Sequence, residues 1–201
     1  MKKSILFFVL FSIACIQNTF SQSAGYKVGD VIKDFSAKNV DGKMIHTTDY
    51  SKAKGYVVVF TCNTCPYAQM YEDRIVALGN KLDKNTWPLI AINSNDKGMS
   101  PGDAYDKMQA RAKDHRYGFP YIYDESQEIV RAFGASRTPH FYVLDANKKV
   151  RYIGALDDNA EDAKAVKINY VESAIKAIQD GKDPNPSFTR AVGCGIKKRP
   201  A

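Results

Sequence analysis

Residues 56–66 read YVVVFTCNTCP, and this stretch decides the fold. The run from Tyr56 to Phe60 is continuously β-branched or aromatic, which predicts a strand buried on both faces of a mixed or parallel sheet. Pro66 lacks an N–H group and has a fixed φ, so it favours the first turn of a helix. We therefore expect the strand to lead into a helix that begins around residues 62–64, with Cys65 one turn inside and facing the core.

Outward from this stretch, the sequence predicts an α/β chain with an antiparallel edge. Apolar residues after Pro66 recur at intervals of three and four, as on one face of a helix. Asp41-Gly42 favours a hairpin within residues 34–48. The other expected elements are strands at 88–93, 121–123, 140–144 and 150–153, and helices at 103–116, 125–133 and 168–179. The elements follow the order strand, helix, strand, helix, and a hairpin and a helix come last. This order is typical of an α/β fold.

The N-terminus has the three parts of a secretory signal peptide. Two lysines precede an apolar run at residues 5–16, and a polar stretch follows it, so we expect residues 1–21 to be removed. The run is shorter than the ~20 residues of a spanning helix, and no transmembrane segment is expected in the mature chain. The alternative is lipidation at Cys15, which is less favoured because Ser12 stands where a lipobox has a branched aliphatic residue. The expected location is the bacterial periplasm.

The mature chain, residues 22–201, is expected to fold as one domain, with a C-terminal tail from about residue 185. The whole chain has 29 Lys and Arg against 22 Asp and Glu, a formal net charge of +7. The excess is dispersed apart from a short basic cluster at 197–199. Because no basic stripe interleaved with aromatic residues accompanies it, nucleic acid is excluded as an expected partner.

Three cysteines remain after the signal, namely Cys62, Cys65 and Cys194. An odd number does not suit a scaffold held together by disulfides. The C-x-x-C spacing serves zinc as well as redox chemistry, but zinc needs four ligands, and the isolated histidines offer no matching pair. Placement between a strand and a helix favours a redox pair, because free N–H groups there stabilise a thiolate.

The pair is expected to exchange disulfides. Cys62 would be the exposed nucleophile that attacks a substrate disulfide, and Cys65 would resolve the mixed disulfide. No metal or cofactor is expected. The alternatives are an inert crosslink, a binding module, and a copper(I) or zinc site formed by the pair with His140.

With Arg137-Thr138-Pro139 ahead of a strand, the cysteine motif makes the chain resemble the thioredoxin superfamily. It is most similar to exported TlpA-type thiol oxidoreductases and to peroxiredoxin-like relatives that carry C-x-x-C. The resemblance implies a thioredoxin-like fold, with a central mixed β-sheet flanked by helices and an N-terminal β-hairpin extension. It also implies that Pro139 is a cis-proline beside the cysteines and that Thr138 offers its backbone to an extended substrate.

The chain departs from these families at several positions. Thr61 replaces the tryptophan common before the first cysteine, and residues 56–60 lack the buried acid of thioredoxins, so the proton acceptor for Cys65 has no candidate. In a peroxiredoxin, Cys65 would be the peroxidatic thiol. Cys62 and Val58 then stand where that group has threonine and proline, which removes donors that would polarise a peroxide.

Cys194 lies in a Gly-Cys-x-Ile-Lys element that resembles one in the peroxiredoxin-like group. Its flanking glycines allow a close backbone approach. We expect the tail to fold back toward Cys62 so that Cys194 acts as an alternative resolving thiol, against the alternative of a surface or intermolecular cysteine. The expected partners are a disulfide-bearing protein or small-thiol substrate and an electron donor that the sequence does not identify.

Overall fold

A computed structural model of the chain describes residues 25–200. The strands are β1 (Ser36–Asn39), β2 (Met44–His46), β3 (Gly55–Phe60), β4 (Leu89–Asn93), β5 (Tyr121–Tyr123), β6 (Arg137–Thr138), β7 (His140–Asp145), β8 (Val150–Gly154) and β9 (Cys194–Gly195). The helices are α1 (Pro66–Lys81), α2 (Tyr105–Asp114), α3 (Glu128–Phe133) and α4 (Tyr170–Gln179), with short 3₁₀ turns between them.

Seven strands form one mixed sheet in the order β2-β1-β5-β4-β3-β7-β8. The strands β3, β4 and β5 run parallel, whereas β7 pairs antiparallel with β3, and β8 pairs antiparallel with β7. The hairpin of β1 and β2 extends the opposite edge through β5. The expected fold is confirmed: a thioredoxin-like mixed sheet flanked by helices, with an N-terminal hairpin.

The centre of the sheet is apolar on both faces because helices cover each side. All residues of β3 and β4 are buried. One face packs on α1, α2 and α4 and the other on α3, so alternate residues of β3 enter two separate core clusters. This burial fixes the end of β3, and with it the position of the cysteines that follow.

Several helices begin later than the sequence predicted. The segment expected to be helical from Asp103 first makes a 3₁₀ turn, and α2 begins at Tyr105. The next helix begins at Glu128 rather than at residue 125, because Gln127 adopts a left-handed conformation with φ 61°. Helix α4 begins at Tyr170 rather than at residue 168, and Asn169 before it is extended. In each case the first residues of the stretch whose composition favours a helix belong to the preceding loop or turn.

The expected signal peptide, residues 1–21, and the alternative lipidation site at Cys15 lie outside the described residues. Between residues 25 and 200, no helix has both the length and the apolar character needed to cross a membrane.

Candidate active site at the junction of β3 and α1

Helix α1 begins at Pro66, not at residues 62–64, and Cys65 is its N-cap. Cys65 has an extended backbone, with φ −75° and ψ 123°. The physical reason is that proline hinders a helical conformation in the residue before it, so an early proline also delays the helix start. Cys65 therefore lies at the positive end of a 16-residue helix rather than inside its first turn.

Neither cysteine of the pair is exposed, which corrects the expectation for Cys62. The exposed fraction is 5% for Cys62 and 3% for Cys65. Both belong to a small cluster with Ala68, against which Tyr67 and Cys194 pack. The tail that carries Cys194 thus helps to cover the pair.

Thr138 contacts both sulfurs, and the Thr138–Pro139 peptide bond is cis. Its hydroxyl lies 3.3 Å from the Cys62 sulfur. Its carbonyl oxygen lies 3.1 Å from the Cys65 sulfur and can accept a hydrogen bond from that thiol when it is protonated. Thr138 therefore lines one side of the cysteine pair.

The pKa values of the two thiols are shifted in opposite directions, because the thiols are neighbours and interact. The neighbouring Cys62 thiol is the main reason that the pKa of Cys65 is lowered, to about 4, and Cys194 and the Ala68 N–H group lower it further. The same interaction, together with burial and the charge of Asp103, raises the pKa of Cys62. The Thr138 carbonyl favours the protonated Cys65 thiol, but the groups that lower its pKa outnumber it. Of the two thiols, Cys65 is the one whose pKa is lowered.

Asp103 is a buried acid at the site that was not recognised in the sequence. It is 0% exposed, and its oxygens accept hydrogen bonds from the Asn63 N–H group (2.6 Å) and the Thr64 hydroxyl (2.7 Å). The side chains of Ser100 and Asn95 donate to it as well, at 2.6 Å and 2.8 Å. Asp103 thus holds the residues between the two cysteines from the side of α2.

Asn63 is held from three further directions. The Tyr121 hydroxyl donates to its side-chain oxygen at 2.9 Å, and its side-chain amide donates to the Gly102 carbonyl at 2.9 Å. The Gln69 amide donates to its backbone carbonyl at 2.7 Å. The loop between the cysteines is therefore fixed to β5, α1 and the loop before α2, which preorganises the pair.

The tail folds back onto the site, where it meets Cys65. The Cys194 N–H group donates to the Cys65 sulfur at 3.4 Å. Burial and the neighbouring Cys65 raise the pKa of Cys194. The expected approach of Cys194 to Cys62 is thus replaced by contacts with Cys65. Strand β9, which carries Cys194, pairs with β6.

His140, which follows the cis-proline, was the histidine considered as a metal ligand together with the cysteine pair. Within residues 25–200, no group of three or more His, Cys, Asp or Glu side chains is arranged to hold a metal ion. His140 is buried, and its ring centroid lies 4.9 Å from that of Tyr142 with the ring planes tilted by 40°. Burial, with a smaller effect of Lys198, lowers the pKa of His140 to about 4.

The fold is thioredoxin-like, and the cysteine pair lies beside a cis-proline. The chain belongs to the AhpC/TSA family, which matches residues 28–153. It is 24% identical over 152 residues to the thiol-disulfide oxidoreductase ResA of Geobacillus thermodenitrificans, an oxidoreductase enzyme, with 73% of this chain and 80% of the relative covered.

Two solved structures without an assigned function are similar over almost their whole length. An uncharacterized conserved protein from Geobacillus kaustophilus has 32% identity and a TM-score of 0.81, covering 87% of this chain and 94% of its own. A hypothetical protein from Sinorhizobium meliloti has 27% identity and a TM-score of 0.81, covering 88% and 97%. Solved thioredoxin and peroxidoxin structures share the fold at lower identity, which shows the fold alone.

Proposed function

We propose that the protein is an exported thiol-disulfide oxidoreductase in which Cys62 and Cys65 alternate between a dithiol and a disulfide. Its substrates would be disulfide-bearing proteins or small disulfides, and a separate dithiol donor would return the pair to the reduced state. Thr138 and Pro139 line the site and contribute to substrate positioning. No cofactor is needed, because thiol-disulfide exchange proceeds through the sulfurs alone.

The placement of both cysteine sulfurs against Thr138 carries this proposal, since Cys62 lies 3.3 Å from its hydroxyl and Cys65 lies 3.1 Å from its carbonyl oxygen. Two sulfurs that contact the same residue and belong to one small cluster are close enough to be joined with little backbone movement. The low pKa of Cys65 supplies a thiolate at neutral pH, and the thiolate is the reactive species in exchange. The similarity to ResA supports the same class of chemistry.

The direct test is equilibration of the mature protein with reduced and oxidised glutathione, followed by acid quenching, alkylation and mass analysis. We expect a reversible Cys62–Cys65 disulfide. A potential near −270 mV would indicate a reductase and one near −120 mV an oxidant. The Cys62→Ser and Cys65→Ser variants should each lose the disulfide. A folded wild-type protein that never forms it would refute the proposal.

A second candidate function is a thiol peroxidase with Cys65 as the peroxidatic thiol. It is favoured by the lowered pKa of Cys65 and by membership of the AhpC/TSA family. The test is consumption of hydrogen peroxide by the reduced protein with dithiothreitol as donor. Turnover that survives Cys62→Ser but not Cys65→Ser would establish the peroxidase, whereas consumption no faster than that of free dithiothreitol would exclude it.

Export and a single domain over residues 22–201 are part of the proposal. They rest on the charged, apolar and polar segments of residues 1–21. N-terminal sequencing of protein recovered from a bacterial periplasm should begin at Gln22. Retention of Met1, or a lipid-modified N-terminus at Cys15, would contradict this assignment.

A further inference from the structure

The C-terminal strand occupies the backbone edge beside the cysteine pair. Strand β9 pairs antiparallel with β6, and Cys194 lies directly opposite Thr138. The Ile196 N–H group donates to the Ser136 carbonyl at 3.2 Å, and the Arg137 guanidinium donates to the Gly193 carbonyl at 3.2 Å. An extended peptide that pairs with Thr138 would have to take the same place.

Gly193 shows how closely this strand lies against the site. A Cβ atom at Gly193 would be 2.0 Å from the Thr138 carbonyl oxygen and 3.3 Å from the Pro139 nitrogen. No side chain fits in that gap without moving the strand. At Gly195, two residues further on, an added Cβ would meet nothing within 4 Å. The chain therefore offers a disruptive substitution and a matched control within one short segment.

The tail is also held beyond the strand. The Lys197 N–H group donates to the Asn95 side chain at 2.8 Å, and the Lys197 carbonyl accepts from Asp96 and Gln127, each at 2.9 Å. The Arg199 N–H group donates to the Gln127 side chain at 2.8 Å. Contacts on both sides of the site thus keep Cys194 in register with Thr138.

We propose that the C-terminal strand is a built-in substrate of the cysteine pair, and that Cys194 forms a disulfide with Cys65. This inference rests on the proposed function, since it begins from the Cys62–Cys65 disulfide. The Cys194 thiol loses its proton to solvent and attacks the Cys65 sulfur. The Cys62–Cys65 bond breaks, the Cys65–Cys194 bond forms, and Cys62 leaves as a thiolate that takes up a proton. The number of electrons in the protein does not change.

The exchange gives the protein two oxidised forms that share Cys65. In the first form Cys62 is bonded to Cys65, and Cys194 is a free thiol. In the second form Cys194 is bonded to Cys65, and Cys62 is a free thiol. The strand pairing makes the second form accessible, because it gives Cys194 a high effective concentration at Cys65. The hydrogen bond from the Cys194 N–H group to the Cys65 sulfur, at 3.4 Å, places Cys194 next to the sulfur that it would join.

Disulfide mapping of the full mature chain in glutathione buffers tests the inference. Trypsin cleavage after Lys54 and Arg74 leaves both cysteines of the pair in one peptide, and cleavage after Arg190 and Lys197 isolates Cys194 in another. A linked pair of peptides therefore reports a bond to Cys194, and fragmentation assigns it to Cys65. We expect this linked species beside the Cys62–Cys65 disulfide, and its loss in Cys194→Ser.

The glycine variants test whether strand pairing causes the exchange. In Gly193→Ala the Cys65–Cys194 species should fall by about tenfold, since the effective concentration is lost, while the Cys62–Cys65 disulfide still forms. Gly195→Ala should resemble the wild type. Equal amounts of the species in both variants would overturn the inference.

The wild-type map separates the two proposals without relying on any variant. A Cys62–Cys65 disulfide with no Cys65–Cys194 species at any glutathione ratio would overturn the built-in substrate alone. A bond from Cys194 to Cys62 in its place would do the same. Absence of every disulfide at the site would refute the proposed function itself.

Discussion

At the scale of single residues, the site is governed by a few buried polar groups. The cysteine motif was visible in the sequence, since C-x-x-C directly after an apolar run and before a proline is typical of a redox pair. Asp103 was not, because it lies far along the chain in a polar loop where an acid indicates the start of a helix. A buried carboxylate is recognised by what surrounds it, and the residues around Asp103 come together only in the folded chain.

Asp103→Asn should lower the pKa of Cys62 and destabilise the fold. The negative charge of Asp103 is one cause of the raised pKa of Cys62, and the substitution removes it. The amide of asparagine also places an N–H donor against groups that already donate to Asp103. We expect this mismatch to lower the free energy of unfolding by about 1–3 kcal/mol. Thiolate absorbance against pH and urea unfolding measure the two effects. Asp106→Asn, at an exposed position on α2, is the control and should change neither.

His140 should make the protein less stable in acid. Burial lowers its pKa from 6.5 to about 4, so the unfolded chain binds a proton between these values that the folded chain does not. The free energy of unfolding therefore decreases as the pH falls from 6.5 toward 4.

In His140→Phe the loss of stability between pH 7 and pH 4.5 should be smaller by about 2 kcal/mol, measured by urea unfolding at both values. His46→Phe, at an exposed histidine, is the control. An identical pH dependence in His140→Phe and the wild type would contradict the assignment.

At the scale of elements, strands were easier to predict than helix starts. The strands β3, β4 and β7 are mainly apolar and almost entirely buried, and their bounds differ from prediction by a residue at most. Helix starts depend on single backbone conformations, such as the extended Cys65 before Pro66, which composition does not encode. The two-residue strands β6 and β9 are too short to show any periodicity. They exist only because the tail returns to Thr138.

Gly79→Ala should destabilise the protein although alanine favours helices. Gly79 lies within α1, and an added Cβ would come 2.2 Å from the Phe119 ring. That ring is buried and stacks on Tyr117 at 4.9 Å, so it has little room to move. We expect overpacking to cost about 1–3 kcal/mol beyond the gain in helix propensity. Thermal unfolding measures the effect, with Ser173→Ala on the exposed face of α4 as a control; an unchanged or higher midpoint would contradict the prediction.

At the scale of the whole molecule, the C-terminal tail crosses from the β8 edge to the cysteine site. Ile153 in β8 forms a bridge with Phe188. The Thr189 hydroxyl lies 2.6 Å from the Tyr152 hydroxyl and accepts from the Ala155 N–H group at 3.0 Å. The sequence predicted that the tail would fold back but not which sulfur it would reach. That outcome depends on contacts spread over the whole length of the tail.

Thr189→Val should loosen the tail at its middle. The substitution keeps the shape of the side chain but leaves the Ala155 N–H group without its acceptor, at a cost of about 1–3 kcal/mol. Limited trypsin digestion should then cut faster after Arg190, which is exposed. Thr48→Val, at an exposed position, should be cut at the wild-type rate. Equal rates in all three proteins would show that this contact does not hold the tail.

The return of the tail to the cysteine pair also has a consequence for biosynthesis. The sulfurs at 62 and 65 leave the ribosome long before residues 193–199, which cover them. The sheet around the pair can therefore begin to form before its cover arrives, because folding of an emerging chain proceeds from the N-terminal side. During this interval oxidants and partner thiols can reach a site that the finished protein keeps covered.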